Sequence, residues 1–204
     1  EVMTILGTLR FLDLHPDAMR LPSLPHQTVL GDRGENLSSV LQAICADSPK
    51  KEILIQWLQA LTPMDAQNFE FLADYTGRIL VHLLENHGKI TSAYSASDGT
   101  LRFLAMVAAL LGPKVATLYF LEELENGIHP NRLYLLMELI EKQVKQSHIQ
   151  IIATTHSPNL LGFASQETLQ AASLIYRLPD QTESRIQRIV DIPEIQQFME
   201  AGEI

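Results

Sequence analysis

Three short stretches carry side chains whose types and spacing suit chemistry on a charged ligand. The first is Glu122 and Glu123, which follow directly on the apolar run 115–121. That run lies between Gly112-Pro113 and Asn126-Gly127 and reads as a strand buried on both faces. A parallel strand delivers its last residues into the crevice where open α/β sheets bind ligands. There Glu122 can hold Mg²⁺ through water, and Glu123, on the other side of the extended chain, can polarise an attacking water. The second stretch is Ser97-Asp98-Gly99-Thr100, leading into a long apolar helix that stops at Gly112-Pro113. Ser97 is a natural N-cap, and Asp98 and Gly99 leave backbone amides beside its hydroxyl at the positive end of the helix dipole, which suits an anion. The third is Thr154-Thr155-His156-Ser157, where an imidazole leaves a second apolar run, 149–155, and can hydrogen-bond a terminal phosphate or the attacking water. Taken singly, each has an ordinary structural explanation: an acidic loop after a strand, a capped helix, a structural histidine.

Positioning these residues falls to a strand, a helix and a strand in sequence. Pro130 fits the first turn of a helix through Leu133, Leu136, Met137, Ile140 and Val144, so that 115–121 and 149–155 pair in parallel across a right-handed crossover. Upstream, Asn36 is the N-cap of a helix over 37–46, and a second amphipathic helix covers 51–61 with Ile53, Leu54, Trp57, Leu58 and Leu61 inward. Residues 65–74 read as a short helix. Runs 78–85 and 89–94, joined by Asn86-His87-Gly88, read as a hairpin, with one of His82 and His87 packed in a face and the other in the turn. The first 34 residues, broken by Pro16, Pro22 and Pro25, read as loop and extended chain with a short strand near 3–6. Residues 172–178 and 184–192 read as later strands, and Pro193 opens a closing helix.

With 204 residues, 46% of them hydrophobic and 19% charged, the chain is long enough for one substantial core or two small ones. No apolar run approaches the roughly 20 residues of a membrane helix, and the opening lacks a signal-peptide layout. The expectation is a cytoplasmic protein with no membrane partner. Cys45 is the only cysteine, which excludes an internal disulfide and a cysteine metal cluster and reads as a small core residue. A net charge of −9 argues against a surface that grips nucleic acid throughout.

The order and spacing of the three stretches resemble the carboxyl-terminal half of an ABC-type ATPase head, in the SMC, RecF and OLD-like branch of prokaryotic AAA-labelled proteins. Members carry Glu-Glu-Pro-Glu-Asn-Gly-hydrophobic-His-Pro after the strand. This chain has Glu122-Glu123-Leu124-Glu125-Asn126-Gly127-Ile128-His129-Pro130, departing only at Leu124. The match runs over 94–162 and extends plausibly to most of the chain. It implies a P-loop NTPase-like α/β fold with parallel strands and flanking helices, preceded by a helical segment and a hairpin. Residues 1–94 would then be a helical lobe leading to the signature, and 95–204 the lobe with the signature, Walker B and switch histidine.

The resemblance also implies roles. Ser97 and Gly99, with Asp98 and Thr100 beside them, correspond to the signature, which in that family contacts the γ-phosphate of a nucleotide held by the opposite subunit. Glu122 takes the Walker B magnesium position, where aspartate is usual, and Glu123 the general-base position. Asn126, Gly127 and His129 lie in the D-loop that crosses the dimer interface, and His156 is the switch histidine. ATP and Mg²⁺ are the implied cofactors, and the implied partner is a second copy closing around two nucleotides. DNA or a defence or repair protein is the further partner that the family suggests. No Gly-x4-Gly-Lys-Ser/Thr string occurs, so the expectation is the carboxyl-terminal part of a longer protein, inactive alone. Two other readings stay open: a non-hydrolysing module that docks on a partner chain, and the ATPase part of an OLD-type nuclease.

Overall fold

The apolar stretch after Ser97 becomes a helix buried around nearly its whole circumference. The structure is a computed structural model that describes residues 9–179, 181–193 and 195. The chain divides into two compact units, Glu1–His156 and Ser157–Ile204. In the first, the described elements are β1 (Leu9–Leu12), α1 (Pro16–Met19), α2 (Leu37–Cys45), α3 (Ser48–Leu61), β2 (Ala66–Ala73), β3 (Ile79–Glu85), β4 (Ile90–Ser92), α4 (Asp98–Leu111), β5 (Leu118–Leu121), α5 (Leu133–Ser147) and β6 (Gln150–Ala153). The second contains α6 (Pro158–Leu161), α7 (Gln166–Ala171) and an antiparallel pair, β7 (Ser173–Tyr176) with β8 (Arg185–Arg188).

In α4, Thr100, Leu101 and all of 103–111 are buried. Each fully buried Leu or Phe contributes about 1.5–3 kcal/mol, so burial fixes this helix more than propensity does. Its carboxyl end is closed by the Lys50 ammonium, which donates to the Leu111 carbonyl at 3.0 Å and opposes the negative helix terminus.

Two sheets flank this core. β1, β5 and β6 form a parallel sheet in that order, with Leu9, Leu118 and Gln150 in one row and Leu12, Leu121 and Ala153 in the last. The expected parallel pairing of the two apolar runs is therefore present. The second sheet, β2-β3-β4, is antiparallel and contains the expected hairpin, with His82 half-buried in a strand and His87 in the turn at φ 62°.

Several elements differ from the sequence reading. Residues 65–74 contain β2 and not a helix, because Phe69 and Phe71 pair across to Leu83 and Val81. Within the stretch read as loop, Leu9–Leu12 is a strand, whose partner β5 lies about a hundred residues away and leaves no local signature; the strand expected near 3–6 lies outside the described residues. The helix expected at 51–61 starts at Ser48, where the Asp47 carboxylate accepts from the Lys50 amide and Pro49 fits the first turn. Its buried stripe is narrow: Leu54, Leu58 and Leu61 are inside, Trp57 is half-buried and Ile53 is 38% exposed. Asn36 precedes α2 but does not cap it; its side chain instead accepts from the Gly31 amide and donates to the Val29 carbonyl. The helix expected from Pro130 begins as a 3-10 turn, Pro130–Arg132, and becomes regular at Leu133.

The two parallel strands are shorter than the apolar runs and are not buried on both faces. In β5, Tyr119 and Leu121 are buried while Leu118 and Phe120 are half-buried. The Tyr119 hydroxyl donates to the Ala109 carbonyl and accepts from the Ala116 amide, each at 2.8 Å, which ties the covered face to α4. On the other face Phe11 stacks on Phe120, with ring centroids 4.3 Å apart, and Ile152 continues the row. Phe11 is 60% and Ile152 52% exposed. The helix expected after Pro193 falls largely outside the described residues.

Candidate active site at the carboxyl edge of the parallel sheet

Leu121 and Ala153 are register partners, so Glu122 and Thr154 leave the sheet side by side and His156 follows two residues later. The acidic loop is then stitched to the end of β6. The Thr154 amide donates to the Leu121 carbonyl and the Leu124 amide to the Thr154 carbonyl, both at 3.0 Å, while the Glu123 amide donates to Thr154 Oγ1 at 3.1 Å. The Leu124 bond explains the one departure from the resembled motif: a proline there has no N–H to donate. Leu124 and Ile128 are buried and anchor the loop, whereas Glu122, Glu123, Asn126, Gly127 and His129 are exposed.

Glu123 has φ 47°, a left-handed conformation uncommon for a non-glycine residue and one that concentrates at functional sites. Its carboxylate accepts from Asn126 Nδ2 at 3.0 Å, so the amide fixes the direction of the acid. Glu125, half-buried, accepts from Thr155 Oγ1 at 2.6 Å and from the His156 amide at 2.8 Å. Burial acts to raise the Glu125 pKa, but these two bonds, a backbone amide and the nearby His156 charge together hold it below the ordinary glutamate value. His129 accepts through Nδ1 from the Asn131 amide at 3.3 Å, at the start of the 3-10 turn.

At the start of α4, Ser97 is exposed and caps as expected, its Oγ accepting from the Thr100 amide at 3.1 Å. Arg20 donates to the Asp98 carboxylate at 2.6 Å and to the Ala96 carbonyl at 3.1 Å, which offsets an acid that would repel an anion at this helix end. Gly99 meets Gly127 backbone to backbone. A Cβ on Gly99 would stand 2.3 Å from the Gly127 carbonyl oxygen, one on Gly127 2.4 Å from the Gly99 Cα, and Gly127 also has φ 85°. Only two glycines permit this approach. All ten residues singled out in the sequence thus lie on the acidic loop, on the helix start pressed against it, or on the strand end bonded to it.

The acidic loop borders a cleft of about 170 Å³ between the end of β1 and the side of α4, lined on its polar side by Asp13, Arg102, Glu122, Glu123 and Asn126; residues 97–100, Gly127, His129 and 154–156 do not line it. Among the described residues no group of three or more His, Cys, Asp or Glu side chains is arranged to hold a metal ion unaided. Exposed Glu122 at the strand end fits an ion such as Mg²⁺, which takes one or two carboxylates and completes its shell with water and phosphate oxygens. Sequence reasoning gave no role to Glu125, Thr154 and Thr155, although they stand within the stretches it singled out, and it missed Arg20. The alternation Glu123-Leu124-Glu125 carries a signal for Glu125, since an apolar residue between two acids suits a loop anchored on one side; Arg20 has none, because its partners are 76 and 78 residues away.

Residues 11–162, three-quarters of the chain, match the protein family described as "AAA domain, putative AbiEii toxin, Type IV TA system". A comparison with curated proteins finds no match. Among solved structures, an SMC ATPase, described under ATP-driven dimerization and DNA stimulated activation, superposes with TM-score 0.50 at 11% identity, over 78% of this chain and 92% of that one. An SmcHead bound to the C-winged helix domain of ScpA gives TM-score 0.55 at 10% identity, over 89% of this chain and 55% of that one. The Smc head domain with a coiled coil and joint from Pyrococcus yayanosii gives 0.51 at 13%, over 80% and 30%. This chain thus spans less than two-thirds of the length of the last two. The likeness establishes a P-loop ATPase head fold of the SMC kind, with a parallel sheet and flanking helices. No helix among the described residues is long and apolar enough to cross a membrane. On the family match, the chain belongs to the AAA domain family of the AbiEii type.

Proposed function

We propose that this chain is the carboxyl-terminal part of an ATP-hydrolysing head that works as a nucleotide-bridged homodimer. The observation that carries the reading is the adjacency of Glu122, Glu123 and the 154–156 strand end at one sheet edge, with the start of α4 held against the same loop by Gly99 and Gly127. Glu122 would hold Mg²⁺, which when bound offsets the negative charge of the phosphates. Glu123 accepts the proton of the attacking water, its carboxylate oriented by Asn126. His156 donates a hydrogen bond toward the terminal phosphate or that water. Exposed Ser97 and the amides beside it, with Thr100 behind them, meet the γ-phosphate of the nucleotide on the second copy, and Asn126, Gly127 and His129 line the contact between copies.

The cleft of about 170 Å³ is well below the roughly 300–1,000 Å³ of small-molecule sites, so Glu122, Glu123 and Asn126, which line it, supply one side of the nucleotide pocket. The phosphate-cradling side fits beside β6, which is an edge strand among the described residues, and over the exposed row of Phe11, Phe120 and Ile152. A strand and an amphipathic helix from an upstream part of the same protein would cover both. On this reading the division expected near 94/95 separates the helices and the hairpin from the lobe with the signature, acids and switch histidine, while β1 joins the parallel sheet of that lobe. Kinship alone points to DNA repair or defence against foreign DNA, in the cytoplasm, with DNA or a protein of that system as partner.

Sedimentation of the intact protein carrying Glu123→Gln tests the assembly. With Mg²⁺ and ATP it should run as a dimer and without nucleotide as a monomer, and Ser97→Arg should abolish the dimer. A species unchanged by ATP would overturn the proposal.

A further inference from the structure

Glu125 is the one acid of the loop with its carboxylate turned inward onto the neighbouring strand end. Its two oxygens are used separately, one by the Thr155 hydroxyl at 2.6 Å and the other by the His156 backbone amide at 2.8 Å. The flanking residues face elsewhere: Leu124 and Ile128 are buried, and Glu123 and Asn126 are exposed and bonded to each other. From these contacts we propose that Glu125 is a positioning residue, which sets where His156 stands relative to Glu123 and carries that placement to the Gly127–Gly99 contact. The inference deepens the hydrolytic reading and rests on it.

Geometry supports the assignment. His156 lies beyond the last ladder pair of β6, Leu121 with Ala153, so the sheet itself does not fix it. Thr154 still bonds to Leu121 and Leu124, but the next two residues are held to the loop by Glu125. A charge-assisted acceptor makes short, directional bonds of this kind, and the lowered pKa is consistent with a carboxylate that stays ionised there. Two residues on, Gly127 abuts Gly99. A displacement of the β6 end is thereby passed to the loop and from it to the start of α4, through contiguous contacts. Arg20 holds Asp98 from the far side, so the helix start is gripped at both edges.

The hydrogen-bond inventory separates positioning from chemistry. In Glu125→Gln, Oε1 still accepts from the His156 amide while Nε2 donates to Thr155 Oγ1, so the geometry survives without the charge. In Glu125→Ala both bonds are lost. Steady-state ATP hydrolysis and amide hydrogen exchange in the nucleotide-free state, both on the intact protein, form the test, with Glu123→Gln as reference. Glu125→Ala should lower kcat roughly 10- to 100-fold, the range for loss of a group that orients a functional side chain, and leave the KM for ATP unchanged. Glu125→Gln should keep most of the parent kcat. Exchange at the His156 amide should accelerate in Glu125→Ala alone, while the α4 amides stay as protected as in the parent. Should Glu125→Ala fail to fold, Thr155→Ala removes one of the two bonds and should give a smaller loss of kcat. Equal losses in Glu125→Gln and Glu125→Ala would overturn the proposal by showing that the charge itself is required, and so would parent-like exchange at His156. If Glu123→Gln hydrolyses ATP as fast as the parent, the hydrolytic reading falls instead, and the exchange measurement still decides what Glu125 holds.

Discussion

The two sheets of the first unit meet their surroundings differently. In β2-β3-β4, Ile79, Leu80, Val81 and Leu83 are buried, and the Ser38 hydroxyl of α2 accepts from the Val81 amide at 3.0 Å. That sheet packs on α2 and α3, although Leu72 and Ile90 are more than half exposed. The parallel sheet that bears the acids and the imidazole is covered by α4 on one face, while Phe11 and Ile152 remain more than half exposed on the other. The difference is one of arrangement: the exposed apolar residues of the antiparallel sheet stand in separate rows, whereas Phe11, Phe120 and Ile152 form one continuous row on the sheet whose carboxyl edge bears the acids. The contrast extends to the backbone: the acidic loop holds a left-handed Glu123 and a glycine-on-glycine contact, strain that the surrounding hydrogen bonds must sustain.

Substitutions can break this contrast. Leu83→Ala, in the antiparallel sheet, should cost about 2–5 kcal/mol as a core cavity, read as a lower midpoint in urea. Gly127→Ala should cost roughly 1–3 kcal/mol for the strained conformation, and the displaced Gly99 should also lower ATP turnover in the intact protein. Ile152→Ser sharpens the comparison: on this chain alone it should change stability by no more than about 0.5 kcal/mol, as on other surfaces. In the intact protein the same change should cost about 1.5–3 kcal/mol once the face is covered, and equal effects in the two contexts would contradict the docking of a covering helix. The smallest effect concerns Cys45, whose thiol burial pushes up to about 11 against the opposing Lys51 charge. It should resist thiol reagents at pH 8 until the protein is unfolded. Because the folded state keeps this proton to higher pH than the unfolded state, its contribution to stability is intact below about pH 8.5 and declines toward pH 11.

How far the sequence disclosed this molecule depended on the range of the interactions. The Ser97 cap, the apolar helix it opens and the hairpin around Asn86 follow from neighbours a few residues apart, the parallel pairing of two apolar runs follows from the strand, helix, strand order, and all are present. The acids stand out in the sequence because the motif 122–130 is contiguous, and His156 because it ends the next apolar run. Contacts spanning the chain were not recognisable. β1 is four residues whose pairing partner lies far downstream, and Arg20 reaches Asp98 from within a stretch that reads as loop. Strand ends were misjudged for a related reason. An apolar run marks what can be buried, but Val115, at 41% exposed, lies outside the ladder, which among the described residues starts at Leu118. Periodicity also failed at 65–74, where pairing with β3 overrode a helical reading.

The central claim is that Glu123 acts as the base for water attacking ATP, and steady-state hydrolysis by the intact protein with and without Glu123→Gln tests it most directly. Loss of a positioned general base should slow turnover by about 10²–10⁴-fold while ATP binding persists. Turnover equal to the parent would contradict the account.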